Sequence, residues 1–342
     1  MPPQAIRLRR LFPFQVKFNL SMMGRCDIIE PTNHIIFIEV IGLDRVVLAS
    51  LPVERTREAF EERLCRRYPF LSRIEVGKSV LGRSISGLKL GGGEDAVLYA
   101  GAFHAQEWLT ALVLLRFAER LCQALDSGGY LAGIDCRKAF LGRGLVIVPC
   151  VNPDGVEIAL TGAQAACDLT DEVLRISGGD LSAWNANARG VDINHNFDAG
   201  WHIVRQLEQS RGIDGPSPRR YGGSSPASEP ETQALVALCE RMNFRSAIAF
   251  HSQGEEIYWK YGERTPPGAA LMARVLAMAS GYELKTPSAI ASHGGFKDWF
   301  IEKLGRPGFT VEMGKGKNPL PLTDLEPVYD RLEELLMLGV VM

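Results

Sequence analysis

Two histidines occupy comparable places in the chain, each directly after an apolar run that reads as a buried strand. His104 follows AVLYAGAF and His251 follows AIAF. Strand ends are where α/β folds place their sites. Glu107 lies three residues beyond His104, where a helical pattern begins. Positions i and i+3 of a helical turn face the same way, so one imidazole and one carboxylate can reach a single ion. His251 would close a set of three. Two His and one Glu, with a fourth position left to water, is the make-up of a catalytic zinc site holding one ion, not of a structural one. Each residue alone also has a plain reading: a strand-end His bonded to its neighbours, and an HxxE spacing met by chance.

Such a centre needs a base. Glu312 lies in the otherwise apolar, β-branched run GFTVEMG, where an unpaired carboxylate would be costly unless it faced a polar site. Near a metal it could take a proton from water and return it to a leaving amine; the alternative is an edge-strand residue facing solvent. The string NANARGVDINHNFDAGW, residues 185–201, gathers polar side chains that no core requires. Arg189 could stabilise an oxyanion and Asp192 could accept the free N–H of a metal-bound His. Equally, these residues could be only a hydrogen-bonded loop.

The elements that must position these side chains alternate from about Leu51 onward, short apolar runs with longer periodic ones. That pattern suits a three-layer α/β/α domain with helices on both faces of a sheet. Helices are expected over Pro52 to Arg67, Glu107 to Ala124, Gly268 to Ser280, Gly295 to Lys303 and Pro327 to Leu338. A further helix runs to Met242 with Ser228 of SEPE as its N-cap. Strands are expected around Ile74, from Ser84 to Leu90, at AVLYAGAF, from Leu145 to Val151, at AIAF and at FTVEM, with VNPDG a turn. Gly212 to Pro230 reads as a long surface loop. Residues 1–50 form an N-terminal extension whose structure is not readable, apart from the strand-like IIFIEVIG, and residues 51–342 form the catalytic domain.

Composition narrows the function classes. Of 342 residues, 46% are hydrophobic and 23% charged, and 38 basic against 40 acidic side chains leave a net charge of −2, which gives nucleic acid no electrostatic footprint. No apolar run approaches the ~18 residues that cross a bilayer, so no membrane partner is expected. Pro13, Gln15 and Lys17 interrupt the N-terminal apolar stretch, which reads as unprocessed. Seven cysteines without a CxxC suggest neither a disulfide framework nor a thiolate zinc site, and a reducing, cytoplasmic setting is expected.

Taken together, GAFHAQEW, VNPDG, ARGVDINHNF, AFHSQG and PGFTVEMG resemble, in order and spacing, the blocks of the zinc carboxypeptidase family, over roughly Arg57 to Leu338. The resemblance implies a mixed, mostly eight-stranded sheet, zinc on His104, Glu107 and His251, Glu312 as base, Arg189 at the oxyanion and Asp192 behind a zinc histidine. SEPET and GGFKDWFIEKLGRPGFTVEMGKGKNPLPL are similar to the branch of γ-D-glutamyl-L-diamino acid endopeptidases, which act on cell-wall stem peptides. Family carboxypeptidases follow the segment's Asn with an Arg that clamps a terminal carboxylate. Here Asn194 is followed by His195, and imidazole is mostly neutral at pH 7, which argues against a strict demand for that carboxylate. Asn194 and His195 are the expected substrate-binding pair. The family's substrate-side tyrosine is missing, Ile290 standing at its place, with Tyr258 or Tyr261 as substitutes. The absence of N-terminal wall-binding repeats favours a soluble peptide or muropeptide substrate. The leading expectation is cleavage of γ-D-glutamyl-diamino acid bonds. The alternatives are an ordinary metallocarboxypeptidase and an inactive peptide-binding homologue.

Overall fold

Apolar side chains fill consecutive positions in DAVLYA, RGLVIV and SAIAFH, a pattern that suits strands covered on both faces. In the computed structural model, which describes residues 45–92, 95–286 and 292–342, they are central strands of one mixed sheet. The strands are β1 (Leu71–Lys78), β2 (Ser84–Gly91), β3 (Asp95–Ala100), β6 (Arg143–Val148), β7 (Ser246–His251), β8 (Glu256–Tyr258), β9 (Glu283–Leu284) and β10 (Gly308–Glu312), while β4 (Tyr130–Leu131) and β5 (Ile134–Asp135) form a separate ribbon. Across the sheet the order is β1-β2-β6-β3-β7-β10-β8-β9. The central strands β6, β3, β7 and β10 are parallel, and β1, β2 and β8 run against their neighbours β2, β6 and β10. The mixed eight-stranded sheet expected from the sequence is thus present.

Alternation along the strands divides the core into two layers. Val97 and Tyr99 face helices α1 (Glu54–Arg67), α2 (Leu109–Ser127), α8 (Ala269–Ser280) and α10 (Leu325–Val341). Leu98 and Ala100 face α7 (Pro230–Met242) and α9 (Phe296–Leu304) on the other side. The remaining helices are α3 (Cys136–Ala139), α4 (Pro153–Thr161), α5 (Thr170–Ser177) and α6 (Trp201–Gln209). The unit so formed runs from Val46 to Met342, its first residues tied down by the buried Glu119 carboxylate, which accepts from the N–H of Val46 and of Val47. IIFIEVIG and Ile290 lie outside the described residues.

Several local expectations are corrected. AVLYAGAF does not stay in the sheet to its end: β3 stops at Ala100, and Ala102 takes a left-handed turn at φ 47° that lifts the chain off it. VNPDG is not a free turn, because the Asn152 side chain accepts from the Gly155 N–H and so caps α4, with Pro153 in its first turn. The N-cap of α7 is Glu229, not Ser228, whose hydroxyl donates instead to the Glu229 carboxylate. The long stretch after Ser210 is irregular up to Glu229, as its Gly, Pro and Ser content suggests.

Candidate active site

The C-terminal ends of the parallel strands converge on one spot. Beyond β3, residues 101–104 are pinned by the loop after β6: the Gly101 carbonyl accepts from Val151 N–H, the Ala102 carbonyl from Asn152 N–H, and the Phe103 carbonyl from the Asn152 side chain. His104 is therefore presented from a braced loop, not from the strand end itself. Glu107 closes a 3₁₀ turn over Ala105–Glu107, and its N–H donates to the His104 carbonyl. The i, i+3 geometry thus comes from a 3₁₀ turn ahead of α2, not from a helix. His251 is the last residue of β7 and stands at the same rung as Glu312, the last of β10.

The distances bring the expected donor set together. Glu107 Oε1 lies 2.9 Å from His104 Nδ1, and Glu107 Oε2 lies 2.9 Å from His251 Nδ1. The two Nδ1 atoms are 3.3 Å apart, and donor atoms from all three residues fall within 4.8 Å of one another. Asp192 Oδ1 is 3.0 Å from His104 Nε2, so the far side of that ring is engaged and its Nδ1 lone pair is left for the cluster. Phe103 stacks on the His251 ring at 5.0 Å. Two imidazole nitrogens and a carboxylate with no cysteine among them is a donor chemistry that fits zinc.

Charge couples these groups. Burial alone would depress the His104 imidazole, but the carboxylates of Glu107 and Asp192 outweigh it and hold the ring well above its usual range. Burial pushes Glu107 up, yet the two histidines bring it down to about 2. Asp192 is likewise held far below the carboxylate range by His104 and His195 against the effect of burial. Glu312 goes the other way: desolvation and the Glu107 and Glu256 carboxylates raise it well above its ordinary value, against the pull of His104. A carboxyl that holds a proton easily is suited to exchange one with a substrate.

A cavity of about 150 Å³ opens beside His104 and Glu312. Asn194 and His195 line it as well. Asn194 Oδ1 accepts the Phe296 N–H at the start of α9. His195 Nδ1 lies 2.9 Å from the fully buried Glu208, whose other oxygen accepts from Arg205 and from the Gly222 N–H. Burial would depress the His195 imidazole, but Asp192 and Glu208 outweigh it and raise the ring above its ordinary value. Arg189 is not brought to the cavity: its guanidinium is about half exposed and lies 3.6 Å from Glu229. Of the two tyrosines, Tyr258 lines the cavity, its hydroxyl donating to Glu256 at 2.5 Å, whereas the Tyr261 hydroxyl sits 3.0 Å from His293.

Sequence reasoning missed Lys297, Asp298 and Thr310 in the cavity wall and Glu208 behind it. The one pointer to the first two was position: FKD opens a helical pattern directly after GG, which follows His293, and His293 lines the same wall.

Comparison with known proteins agrees with this geometry. Residues 58–334 match the zinc carboxypeptidase family. The chain is 35% identical over 281 residues, 82% of its own length and 69% of the other's, to γ-D-glutamyl-L-diamino acid endopeptidase 1 of Lysinibacillus sphaericus. It is 24% identical over 291 residues, 79% of its length and 66% of the other's, to mast cell carboxypeptidase A of Rattus norvegicus. Among solved structures, a chain from the complex of bovine thrombin-activatable fibrinolysis inhibitor with tick carboxypeptidase inhibitor superposes with a TM-score of 0.67 at 21% identity, covering 85% of this chain and 97% of that one.

Proposed function

The chain belongs to the zinc carboxypeptidase family of metallopeptidases, and from that premise we propose that it hydrolyses the bond between γ-D-glutamate and a diamino acid in peptidoglycan stem peptides. The observation that carries the reading is the meeting of His104, Glu107 and His251 beside a cavity that Glu312 also lines. Those three side chains would hold the ion. Bound there, zinc supplies Lewis acidity, which polarises a carbonyl and makes water acidic near neutral pH. Glu312 takes the proton from the attacking water and returns it to the departing amine nitrogen. Asp192 holds the His104 ring in one tautomer and orientation, and Asn194 and His195 bind the substrate from the cavity wall. Tyr258 stands on the substrate side. Arg189 is assigned the oxyanion by its place in ARGVDINHNF, an assignment that asks it to exchange Glu229 for substrate.

The finer specificity is supported by the likeness to the Lysinibacillus endopeptidase and by the lack of a guanidinium clamp next to Asn194. One observation favours ordinary carboxypeptidase activity as a second reading: His195 lines the cavity, and Asp192 and Glu208 raise its imidazole above the ordinary value, which suits it to meet a terminal carboxylate. The six described cysteines are free. None of the described helices is long and apolar enough to cross a membrane.

Incubation of the zinc-loaded protein with L-Ala-γ-D-Glu-diaminopimelate should release L-Ala-γ-D-Glu, and a chelator should abolish release. C-terminally amidated peptides separate the two readings: cleavage that tolerates the block supports the endopeptidase, and cleavage that requires a free carboxylate supports the carboxypeptidase. Failure to release the dipeptide overturns the proposal.

A further inference from the structure

Helix α6 carries Trp201, Arg205 and Glu208 at i, i+4 and i+7, a spacing that puts all three on one face. That face grips the segment Tyr221–Gly222 behind the cavity. The Trp201 indole N–H donates to the Gly222 carbonyl at 2.7 Å, and the Arg205 guanidinium lies 4.7 Å from the centre of the Tyr221 ring. Glu208 Oε2 accepts from Arg205 and, at 3.2 Å, from the Gly222 N–H. Only glycine fits at 222, because a Cβ would stand 2.7 Å from the His195 carbonyl oxygen and 3.3 Å from Glu208 Oε1. With Oε2 so engaged, Glu208 Oε1 is left for the His195 ring, 2.9 Å away.

That contact decides which ring nitrogen carries a proton. His195 Nδ1 faces two acceptors, the Glu208 carboxylate and, at 3.1 Å, the Arg220 carbonyl, so it must be protonated. Arg220 meets the ring from a left-handed backbone, φ 67°, while its N–H donates to Asp192 Oδ2. A non-glycine residue in that region is strained, and such strain gathers at functional sites. His195 Nε2 meets no partner among the described residues, and the ring lines the cavity. We infer that Glu208 is a positioning residue: its carboxylate keeps a proton on His195 Nδ1 and fixes the ring with Nε2 offered to the substrate. The inference rests on the proposed function, in which His195 binds the substrate, and deepens it by naming the atom that binds and the residue that aims it. A ring free to turn over or to move its proton would offer two nitrogens of opposite hydrogen-bonding character. Glu208 removes that choice before the substrate arrives.

The test uses the zinc-loaded full chain. Long-range proton–nitrogen NMR on protein with isotope-labelled histidine, the His195 signals assigned through His195→Gln, reads the tautomer without any substrate. Wild type should carry the proton on Nδ1, and Glu208→Ala should lose that preference. A proton on Nε2 alone in wild type, or an unchanged pattern in Glu208→Ala, overturns the inference. With L-Ala-γ-D-Glu-meso-diaminopimelate, Glu208→Ala should raise KM roughly 10- to 100-fold, the worth of a hydrogen bond to a charged group, with a smaller loss in kcat. Glu208→Gln, whose amide oxygen can still accept from Nδ1, should recover part of that loss. In a His195→Gln background Glu208→Ala should add little, because Glu208 acts through that ring. Losses that add in full, or a lower Tm with KM unchanged, would make Glu208 a tie for α6 alone and overturn the inference. If Glu208→Ala does not fold, Glu208→Gln takes its place in the cycle, and its smaller loss should likewise vanish once His195 is replaced. If wild type does not cleave the peptide, the proposed function falls, and the NMR comparison by itself upholds or overturns the role of Glu208.

Discussion

Asp192 divides its two oxygens among three tasks. Oδ1 meets His104 Nε2 and the Asn194 N–H, and Oδ2 accepts the Arg220 N–H. One buried carboxylate thus ties the His104 ring, proposed to ligate the metal, to the segment that lines the cavity. Asp192→Asn should weaken zinc binding about 10- to 100-fold, read by competition with a chromophoric chelator. Unchanged affinity would remove Asp192 from the account. Glu312→Gln should keep one zinc per chain yet lose about 10²- to 10⁴-fold in kcat, and Arg189→Ala should lower kcat about 10²- to 10³-fold if the guanidinium leaves Glu229 for the substrate during turnover. Full activity in either variant contradicts the role given to it. His104, His251 and Glu312 were readable because a polar side chain next to a buried strand has few other reasons to be there. Lys297, Asp298 and Glu208 were not, because charges in a helical pattern ordinarily face solvent and only the packing of α9 and α6 reveals otherwise.

At the scale of elements, the site depends on how firmly the strands are held beneath it. Tyr99 of β3 donates its hydroxyl to the Leu336 carbonyl of α10 at 2.6 Å, an anchor between the sheet and the helix layer on that face. Gly339 permits that approach: a Cβ there would lie 2.3 Å from the Tyr99 oxygen and 3.0 Å from Ile248 Cδ1. Gly339→Ala should therefore destabilise by about 1–3 kcal/mol through overpacking, seen as a Tm lower by a few degrees. An unchanged Tm would mean that α10 shifts freely on the sheet. The central strands and long helices were legible because continuous apolar runs and 3.6-residue periodicity persist over many residues. The three-residue β8 and two-residue β9 are too short to show a period, and α5 and α6 fell inside a stretch dominated by polar loop residues. SEPE was misjudged because a distant partner, the Asn196 side chain, engages the Ser228 hydroxyl, and VNPDG because the Asn152 side chain accepts from the Gly155 N–H and so opens a helix.

Over the whole molecule, buried charge away from the site shapes stability. Glu231 is fully buried on α7, and burial pushes its carboxyl up to about 7, with the Asp154 charge adding to the rise and hydrogen bonds from the Val80 N–H and the Asn187 side chain opposing it. Between its ordinary value of 4.5 and about 7 the folded chain keeps a proton that the unfolded chain releases, so stability falls as pH rises through that window. A shift of this size corresponds to about 3 kcal/mol between the two ends of the window. Chemical denaturation at pH 5 and at pH 8 should show a drop of that order in the wild type and a smaller one in Glu231→Gln. Equal drops would contradict the assignment.

Three side chains from two distant parts of the chain, His104 and Glu107 on one and His251 on the other, are proposed to hold one zinc ion through nitrogen and oxygen alone. X-ray absorption at the zinc edge, on the zinc-loaded wild type and on His251→Ala, tests it most directly. The expected result is one ion per wild-type chain in a shell of imidazole nitrogen and carboxylate or water oxygen at about 2.0–2.2 Å, and marked loss of zinc in the variant. A sulfur shell at about 2.3 Å, or full zinc retained by His251→Ala, would contradict it.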